Sequence, residues 1–369
     1  MNLRFMRRAL TLARRFEGRT SPNPPVGAVV VSEGNVVGEG FHRGPGTPHA
    51  EVVAIADAGE RARGADIYVT LEPCCHHGRT PPCTDAIINA GIGRVFFGMC
   101  DPNPCVPGDG AGVLSRVGIE VVCDVMGDEI TRFYEAYRRF VVSGLPFVTL
   151  KAAMTLDGRL AAAGGDSKWI TSIDARRYAH RLRAVSDGIL VGVGTVLADD
   201  PELTVRLVRG TDPVRVIIDP DARTPITARV LAGGGAAAII AVDETGNAEM
   251  QSRMRALEAA GAEVIGLPRD AGDLMDLSYL LLLLGKRGMM RLLVEGGANV
   301  FTYFLKHAIF DKIMFMYAPK ILTGDDTLGL TVGPGPRRIA DAIKLGGLTV
   351  RRAGPDIIVE AYPSVRDGG

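Results

Sequence analysis

The chain carries no surplus of charge of either sign, with 42 Lys and Arg against 42 Asp and Glu over 369 residues. A nucleic-acid binder usually shows a basic excess, so nothing global points to such a partner. Long apolar runs are missing as well. The leucine run at 280–284 is far short of the ~20 residues a membrane-spanning helix needs. Tryptophan occurs once, at Trp169, and cysteine does not occur after Cys123. What is present in quantity is ordinary: 47% hydrophobic and 23% charged residues exclude a disordered or collagen-like chain. At ~150 residues per domain the length suggests two to three domains.

All six cysteines (Cys74, Cys75, Cys83, Cys100, Cys105, Cys123) lie in the first third, with four of the six histidines (His42, His49, His76, His77). A chain of this length needs no disulfides, so the cluster points to metal or catalysis. The Arg-rich, acid-poor start superficially suggests a transit peptide, but Leu3, Met6, Leu10 and Ala13 on one face favour an amphipathic first helix. No signal peptide is visible, and the cytoplasm is the expected compartment.

Residues 1–17 read as that helix and 26–31 and 36–41 as a strand pair. Thr47-Pro48 reads as an N-cap with proline in the first helical position, opening a helix with His49 and Glu51. Strands are expected at 66–71, 94–99 and 119–123, with a helix from Cys83 to Gly91. Ser143-Gly-Leu-Pro146 is the best boundary, giving domains 1–144 and 145–369. After it, strands at 147–152, 188–193, 214–219, 236–242 and 291–295 alternate with helices at 248–260 and 277–284. Both halves therefore read as α/β, the second with glycine turns at the carboxyl ends of its strands, where open α/β sheets bind ligands.

His49-Ala-Glu51, Pro73-Cys74 and Pro82-Cys83 form the first constellation. One histidine and two thiolates leave a tetrahedral zinc with an open position for an acidified water, the catalytic form of such a site. Glu51, two residues from His49, can shuttle a proton to a leaving amine, as in hydrolytic deamination. The helix starts expected at His49, Cys83 and Cys74 would favour thiolates. The spacing departs from a plain Pro-Cys-x-x-Cys pattern, so Cys75, His76, His77 and Cys83 all compete for the third position.

The run from Thr70 to Cys83 (TLEPCCHHGRTPPC), with Asn23-Pro-Pro-Val-Gly27, His49-Ala-Glu51 and Asp101-Pro-Asn-Pro104, resembles the riboflavin-biosynthesis pyrimidine deaminases. The resemblance implies a cytidine-deaminase-like three-layer fold, zinc on His49, Cys74 and Cys83, and Glu51 as proton shuttle. It also implies contacts from Asn23, His42 and His76 to a phosphoribosylated diaminopyrimidinone. Two positions depart from the pattern: Cys75 stands where serine is usual, and Pro107 where alanine is common.

By itself the second half says less. Glu295-Gly-Gly-Ala-Asn299 and Gly192-Val-Gly194-Thr195 are glycine turns suited to phosphate, yet neither is the dinucleotide fingerprint of a Rossmann fold. Resemblance sharpens the reading. Lys151-Ala-Ala-Met-Thr-Leu-Asp-Gly158, Lys168-Trp-Ile-Thr171, Val196-Leu-Ala-Asp-Asp-Pro201, Leu203-Thr-Val-Arg206 and Val294-Glu-Gly-Gly297 look like the reductase domain of the bifunctional enzymes of that family. The implied fold is dihydrofolate-reductase-like and the implied cofactor NADPH. Implied cofactor contacts are Ala153, Trp169, Thr195, Asp199, Gly297, Ala298, Asn299, Val300, Phe301, Thr302 and Tyr303. Implied substrate contacts are Ser167, Arg183, Leu203, Arg206 and Glu295. Arg183 and Arg206 suit a phosphate as fork donors, and Asp199 or Lys151 could manage a proton in the reduction.

The expectation is therefore one zinc- and NADPH-dependent polypeptide with two consecutive activities. It would deaminate 2,5-diamino-6-(5-phosphoribosylamino)pyrimidin-4(3H)-one and then reduce the ribosyl group, giving 5-amino-6-(5-phosphoribitylamino)uracil. The family suggests a homo-oligomer acting on a small molecule, without nucleic-acid or membrane partners. The rivals are a nucleoside or tRNA deaminase fused to an unrelated reductase, which would call for a basic groove and short cysteine spacing, and a zinc-stabilised regulatory module whose reductase half has become a binding domain, which predicts loss of Glu51 or of the Glu-Gly-Gly loop, both of which are intact.

Overall fold

The computed structural model describes residues 2–77, 80–104, 109–232 and 237–364. Cys105, Pro107 and the first residue of the strand expected at 236–242 lie outside the described residues. The chain divides into two compact units, Met1–Leu145 and Pro146–Gly369. Among the described residues, no helix is long and apolar enough to cross a membrane.

The first unit runs α1 (Leu3–Arg14), β1 (Gly27–Ser32), β2 (Asn35–Phe41), α2 (Ala50–Ala58), β3 (Asp66–Val69), α3 (Cys83–Asn89), β4 (Arg94–Phe97), α4 (Gly110–Arg116), β5 (Glu120–Val122), α5 (Gly127–Phe133) and α6 (Glu135–Ser143). Its sheet has the order β2-β1-β3-β4-β5, with β1 antiparallel to both neighbours and β3, β4 and β5 parallel. Strand β1 is buried along nearly its whole length, and α1 packs on it: Met6, Ala9, Leu10 and Ala13 of α1 are fully buried, while its arginines face outward. Val30, Ile67, Val69, Val95 and Phe97 face α2 and α3 across the sheet. Helix α2 lies so close to β2 that a Cβ on Gly40 would meet the carbonyl oxygen of Ala50 at 2.1 Å. That contact seats the start of α2, and with it His49 and Glu51, against the sheet.

The second unit contains β6 (Phe147–Thr155), β7 (Arg159–Ala161), α7 (Ile173–Ala184), β8 (Gly188–Gly192), α8 (Val193–Asp199), β9 (Val214–Ile218), β10 (Ile239–Asp243), α9 (Ala248–Ala259), β11 (Glu263–Leu267), α10 (Leu277–Lys286), β12 (Arg291–Val294), α11 (Ala298–Lys306), β13 (Lys312–Ala318), β14 (Leu328–Gly329), β15 (Leu345–Ala353) and β16 (Asp356–Pro363). The large sheet has the order β11-β10-β9-β8-β12-β6-β13-β16-β15. It is parallel from β11 to β13; β16 alone runs against that direction, antiparallel to both β13 and the edge strand β15. Near-continuous burial of β8, β9 and β10 fits strands covered on both faces. Strands β7 and β14 form a separate two-stranded ribbon.

Several elements differ from expectation. The first helix ends at Arg14 rather than near Gly18. Thr47 is not the N-cap of α2, because its hydroxyl donates to Gly44 O at 2.8 Å instead, and the cap position falls to His49 in extended conformation. Cys74 lies in a loop, not in a helix. The Gly192–Gly194 turn is the start of α8, with Gly192 as its cap.

Candidate functional site

His49 begins the geometry of the first site. As the cap of α2 its ring makes no capping hydrogen bond, so it is free to turn towards the loop after β3. Its Nδ1 lies 3.1 Å from Cys83 Sγ and 3.5 Å from Cys74 Sγ. The three ligand atoms of His49, Cys74 and Cys83 all fall within 4.8 Å of one another. Ligands at zinc–nitrogen and zinc–sulfur lengths of about 2.0–2.3 Å around a tetrahedral ion stand about 3.5–3.8 Å apart, so the set fits zinc. Among the described residues no other His, Cys, Asp or Glu joins the group. Cys75, His76 and His77 therefore lose the competition for the third position.

The fold supports thiolate at these positions. Cys83 opens α3, and its backbone N–H donates to Cys74 Sγ at 3.4 Å. The unpaired N–H groups of a helix start thus act on Cys74 from the neighbouring helix rather than from one of its own. Hydrogen bonds from Cys83 and His49 overcome burial and draw Cys74 down to about 4, while Cys83, as donor to that thiolate, is pushed up. Glu51 is buried in the first turn of α2. Burial, then the Cys74 thiolate, raises its carboxyl to about 7, with His49 opposing.

Asn23 and His42 stand beside this group. The His42 ring meets the His49 ring edge-on at 5.4 Å, and Asn23 Nδ2 donates to His42 Nε2 at 3.0 Å. That leaves His42 Nδ1 as donor to Pro48 O, 3.3 Å away, and burial keeps the ring's pKa low. His76 is held apart from the cluster. Its Nδ1 is shut off from solvent and has no hydrogen-bond partner among the described residues.

Three further residues escape a reading of the sequence. Asp101 accepts from Asn103 N and Tyr137 Oη, both at 3.0 Å, and burial raises its carboxyl. Glu72 accepts from Asp101 N at 3.2 Å and Ala111 N at 3.1 Å, tying the backbone at these two positions to one side chain. The Asp-Pro-Asn-Pro run is the one sequence signal for this corner. Buried Tyr134 donates to Pro25 O at 2.9 Å and lies 2.6 Å from Thr70 Oγ1, which accepts from Gly27 N. This chain anchors the loop that carries Asn23.

In the second unit a cleft of about 1450 Å³ opens at the carboxyl ends of β6, β8, β9 and β12. It exceeds the roughly 300–1,000 Å³ of a typical small-ligand pocket and has room for a dinucleotide beside a second molecule. Of the expected contacts it gathers Ala153, Ser167, Trp169, Arg183, Thr195, Asp199, Arg206, Glu295 and Gly297 to Phe301. The two glycine turns meet: Gly192 N donates to Gly296 O at 3.4 Å, and Gly297, at φ +89, presents the start of α11. Such a left-handed position suits glycine, and a helix start beside it suits a phosphate, so the residues fit a dinucleotide.

Asp199 ends α8 and accepts from Ser167 Oγ at 3.0 Å, while Lys168 Nζ donates to its carbonyl at 3.0 Å. Trp169 is 61% exposed on the cleft wall, with the Arg176 guanidinium 4.1 Å over its ring. The fork expected to bind phosphate at Arg183 is closed on Glu295, with Nε and Nη2 donating to the two carboxylate oxygens at 2.9 and 2.8 Å. The two side chains are 13% and 6% exposed, so the pair is largely shielded from solvent and each neutralises the other. Lys151 Nζ lies 3.6 Å from the same carboxylate. Arg206 stays exposed, with Nη1 donating to Glu202 at 2.5 Å.

Leu203 does not line the cleft; it is 3% exposed within the apolar core, at a left-handed φ of +56. Thr302 and Tyr303 border a second cavity of about 380 Å³ that shares Ile218, Pro220, Asn299, Val300 and Val332 with the first. There Tyr303 stacks on His307 at 4.0 Å and donates to Asp270 at 2.7 Å.

Residues 146–359 match the RibD C-terminal domain, and residues 1–99 match the cytidine and deoxycytidylate deaminase zinc-binding region. The chain is 44% identical over 357 residues to the riboflavin biosynthesis protein RibD of Aquifex aeolicus, covering 96% of each. It is 41% identical to that of Escherichia coli, covering 96% of this chain and 97% of the other. A diaminohydroxyphosphoribosylaminopyrimidine deaminase/5-amino-6-(5-phosphoribosylamino)uracil reductase from Thermotoga maritima superposes with a TM-score of 0.84 at 38% identity, covering 98% of both chains.

Proposed function

The chain belongs to the RibD family and is a bifunctional deaminase and reductase of riboflavin biosynthesis; from that premise we propose which residues perform each step. The first unit deaminates the phosphoribosylated diaminopyrimidinone, and the second reduces the ribosyl group of the product to ribityl.

His49, Cys74 and Cys83 hold the zinc, and the convergence of these three side chains beside buried Glu51 is the observation that carries the reading. Zinc, when bound, supplies an acidified water in the position its three protein ligands leave open. Glu51 receives a proton from water and delivers it to the departing amino group, a task suited to a carboxyl that gains and loses its proton near neutrality. Asn23 and His42 orient the pyrimidine, and the Tyr134 anchor holds Asn23 in place.

In the second unit the glycine turns and the start of α11 take the cofactor phosphates, with Trp169 beside its rings. NADPH, when bound, supplies the reducing equivalents. Arg206 faces the substrate phosphate from the rim. Asp199, steadied by Ser167, and Lys151, beside Glu295, are the groups placed to move the proton that completes the reduction.

We further propose a cytoplasmic homo-oligomer with no nucleic-acid partner, in keeping with the zero net charge. The edge strand β15 exposes Leu348 and Val350, 62% and 59% accessible, as strands that pair with another copy do. The test of the division of labour is chelation. Stripping zinc should abolish ammonia release while NADPH oxidation with the already deaminated substrate continues. Loss of both activities would contradict it.

A further inference from the structure

His180 is a buried histidine that the reductase reading leaves without a task. It lies on α7, one turn before Arg183, and lines the cleft with Arg183, Arg206, Lys151 and Glu295. Its Nδ1 is 3.0 Å from the backbone nitrogen of Arg206. A backbone N–H can only donate, so Nδ1 accepts and the single ring proton sits on Nε2. No other hydrogen bond of the ring occurs among the described residues. Burial, with Arg183, Arg206 and Lys151 adding to it and Glu295 opposing, pushes the ring down to about 4, so it stays neutral through the neutral range.

The ring is therefore a neutral donor of fixed orientation in a stretch of cleft wall that also carries Arg183, Arg206, Lys151 and Glu295, with Glu202 paired to Arg206 beside it. Arg183 has its fork closed on Glu295 and its Nη1 on Thr204 O. A neutral N–H in such a wall selects an oxygen acceptor. Of the two molecules that enter the cleft, the one addressed by Arg206 offers hydroxyl and phosphate oxygens on its sugar arm.

We propose that His180 is a substrate-binding residue of the reductase unit, donating through Nε2–H to an oxygen of the substrate's ribosyl-phosphate arm while its Nδ1 holds the Arg206 backbone in place. This rests on the reductase reading above.

Two substitutions separate the roles. In His180→Asn the amide oxygen takes the place of Nδ1, keeping the acceptor for Arg206 and deleting the Nε2 donor. In His180→Gln the amide reaches the Nε2 position. The assay is steady-state NADPH oxidation with 5-amino-6-(5-phosphoribosylamino)uracil, alongside NADPH binding followed by fluorescence as a check that the cleft is folded. The Asn variant should raise KM for the uracil substrate about 10- to 100-fold, the effect of losing one hydrogen bond of about 1.5–3 kcal/mol to a charged or strongly polar group. NADPH affinity should be unchanged, and the Gln variant should recover much of the loss. An Asn variant with wild-type KM, an effect on NADPH instead, or equal impairment by Asn and Gln would overturn the inference. A wild-type enzyme that oxidises no NADPH with this substrate would refute the reductase reading itself, and the inference with it.

Discussion

Replacing Glu295 by Gln removes one negative charge from beside two buried cations. The Glu295 side chain is 6% exposed, Arg183 holds it through two hydrogen bonds, and Lys151 Nζ lies 3.6 Å away. Burial alone would raise its carboxyl, yet Arg183 and Lys151 bring it down from 4.5 to about 2. That depression of about 2.5 corresponds to about 3 kcal/mol of folding free energy. Removing one member of a buried pair costs about 3–5 kcal/mol because the partner charges remain uncompensated. For a unit of this size, at roughly 2–4 °C per kcal/mol, the variant should melt about 6–20 °C below the wild type. Trp169, the sole tryptophan, lies in this unit and gives a fluorescence signal for its unfolding in urea at neutral pH. The pH dependence has a definite sign. A carboxyl whose folded pKa is depressed contributes stability that is present above 4.5 and lost as pH falls towards about 2. The wild type should show that loss and the variant should lack it. A difference below about 1 kcal/mol at neutral pH would refute the reasoning, since an ion pair of that worth behaves as an exposed one.

Other perturbations follow from the same geometry. Glu51→Gln should lower ammonia release by about 10²–10⁴-fold with zinc content unchanged by metal analysis; loss of the metal would remove the support for a proton shuttle. Asp199→Asn should slow NADPH oxidation and leave ammonia release intact; equal loss of both would argue against two independent sites. Cys75→Ser should keep one zinc per chain and full deaminase turnover, because Cys75 stands outside the His49, Cys74 and Cys83 group; a fall in zinc content would make it a ligand.

The parts of the site that share a short stretch of chain are legible before any coordinates. His49-Ala-Glu51 and the two Pro-Cys pairs announce a zinc deaminase, and the alternation of strands and helices announces α/β units. The third ligand stays open in the sequence because four candidate side chains lie within nine residues, Cys75 to Cys83. Only the return of the loop to the start of α3 brings Cys83, and none of the others, within 4.8 Å of both partners. Long-range pairings are the part that sequence conceals. Arg183 and Glu295 are separated by 112 residues, and no local pattern announces that the two side chains pair with each other in the cleft wall. Tyr134 reaches Pro25 across 109 residues, so no local pattern marks it as the anchor of the Asn23 loop. Leu203 belongs to a run that resembles a binding motif, yet its left-handed backbone turns the side chain into the core. The cap of α2 differs from the sequence expectation for a local reason: Thr47 donates its hydroxyl to Gly44 O and leaves His49 at the helix start.

The most direct test of the whole account follows ammonia and NADPH together in one reaction, with zinc-loaded protein and 2,5-diamino-6-(5-phosphoribosylamino)pyrimidin-4(3H)-one. Equal amounts of ammonia formed and NADPH consumed, with ammonia appearing first, is the expected result. Ammonia without NADPH consumption would contradict the reductase assignment, and NADPH consumption without ammonia would contradict the order of the two steps.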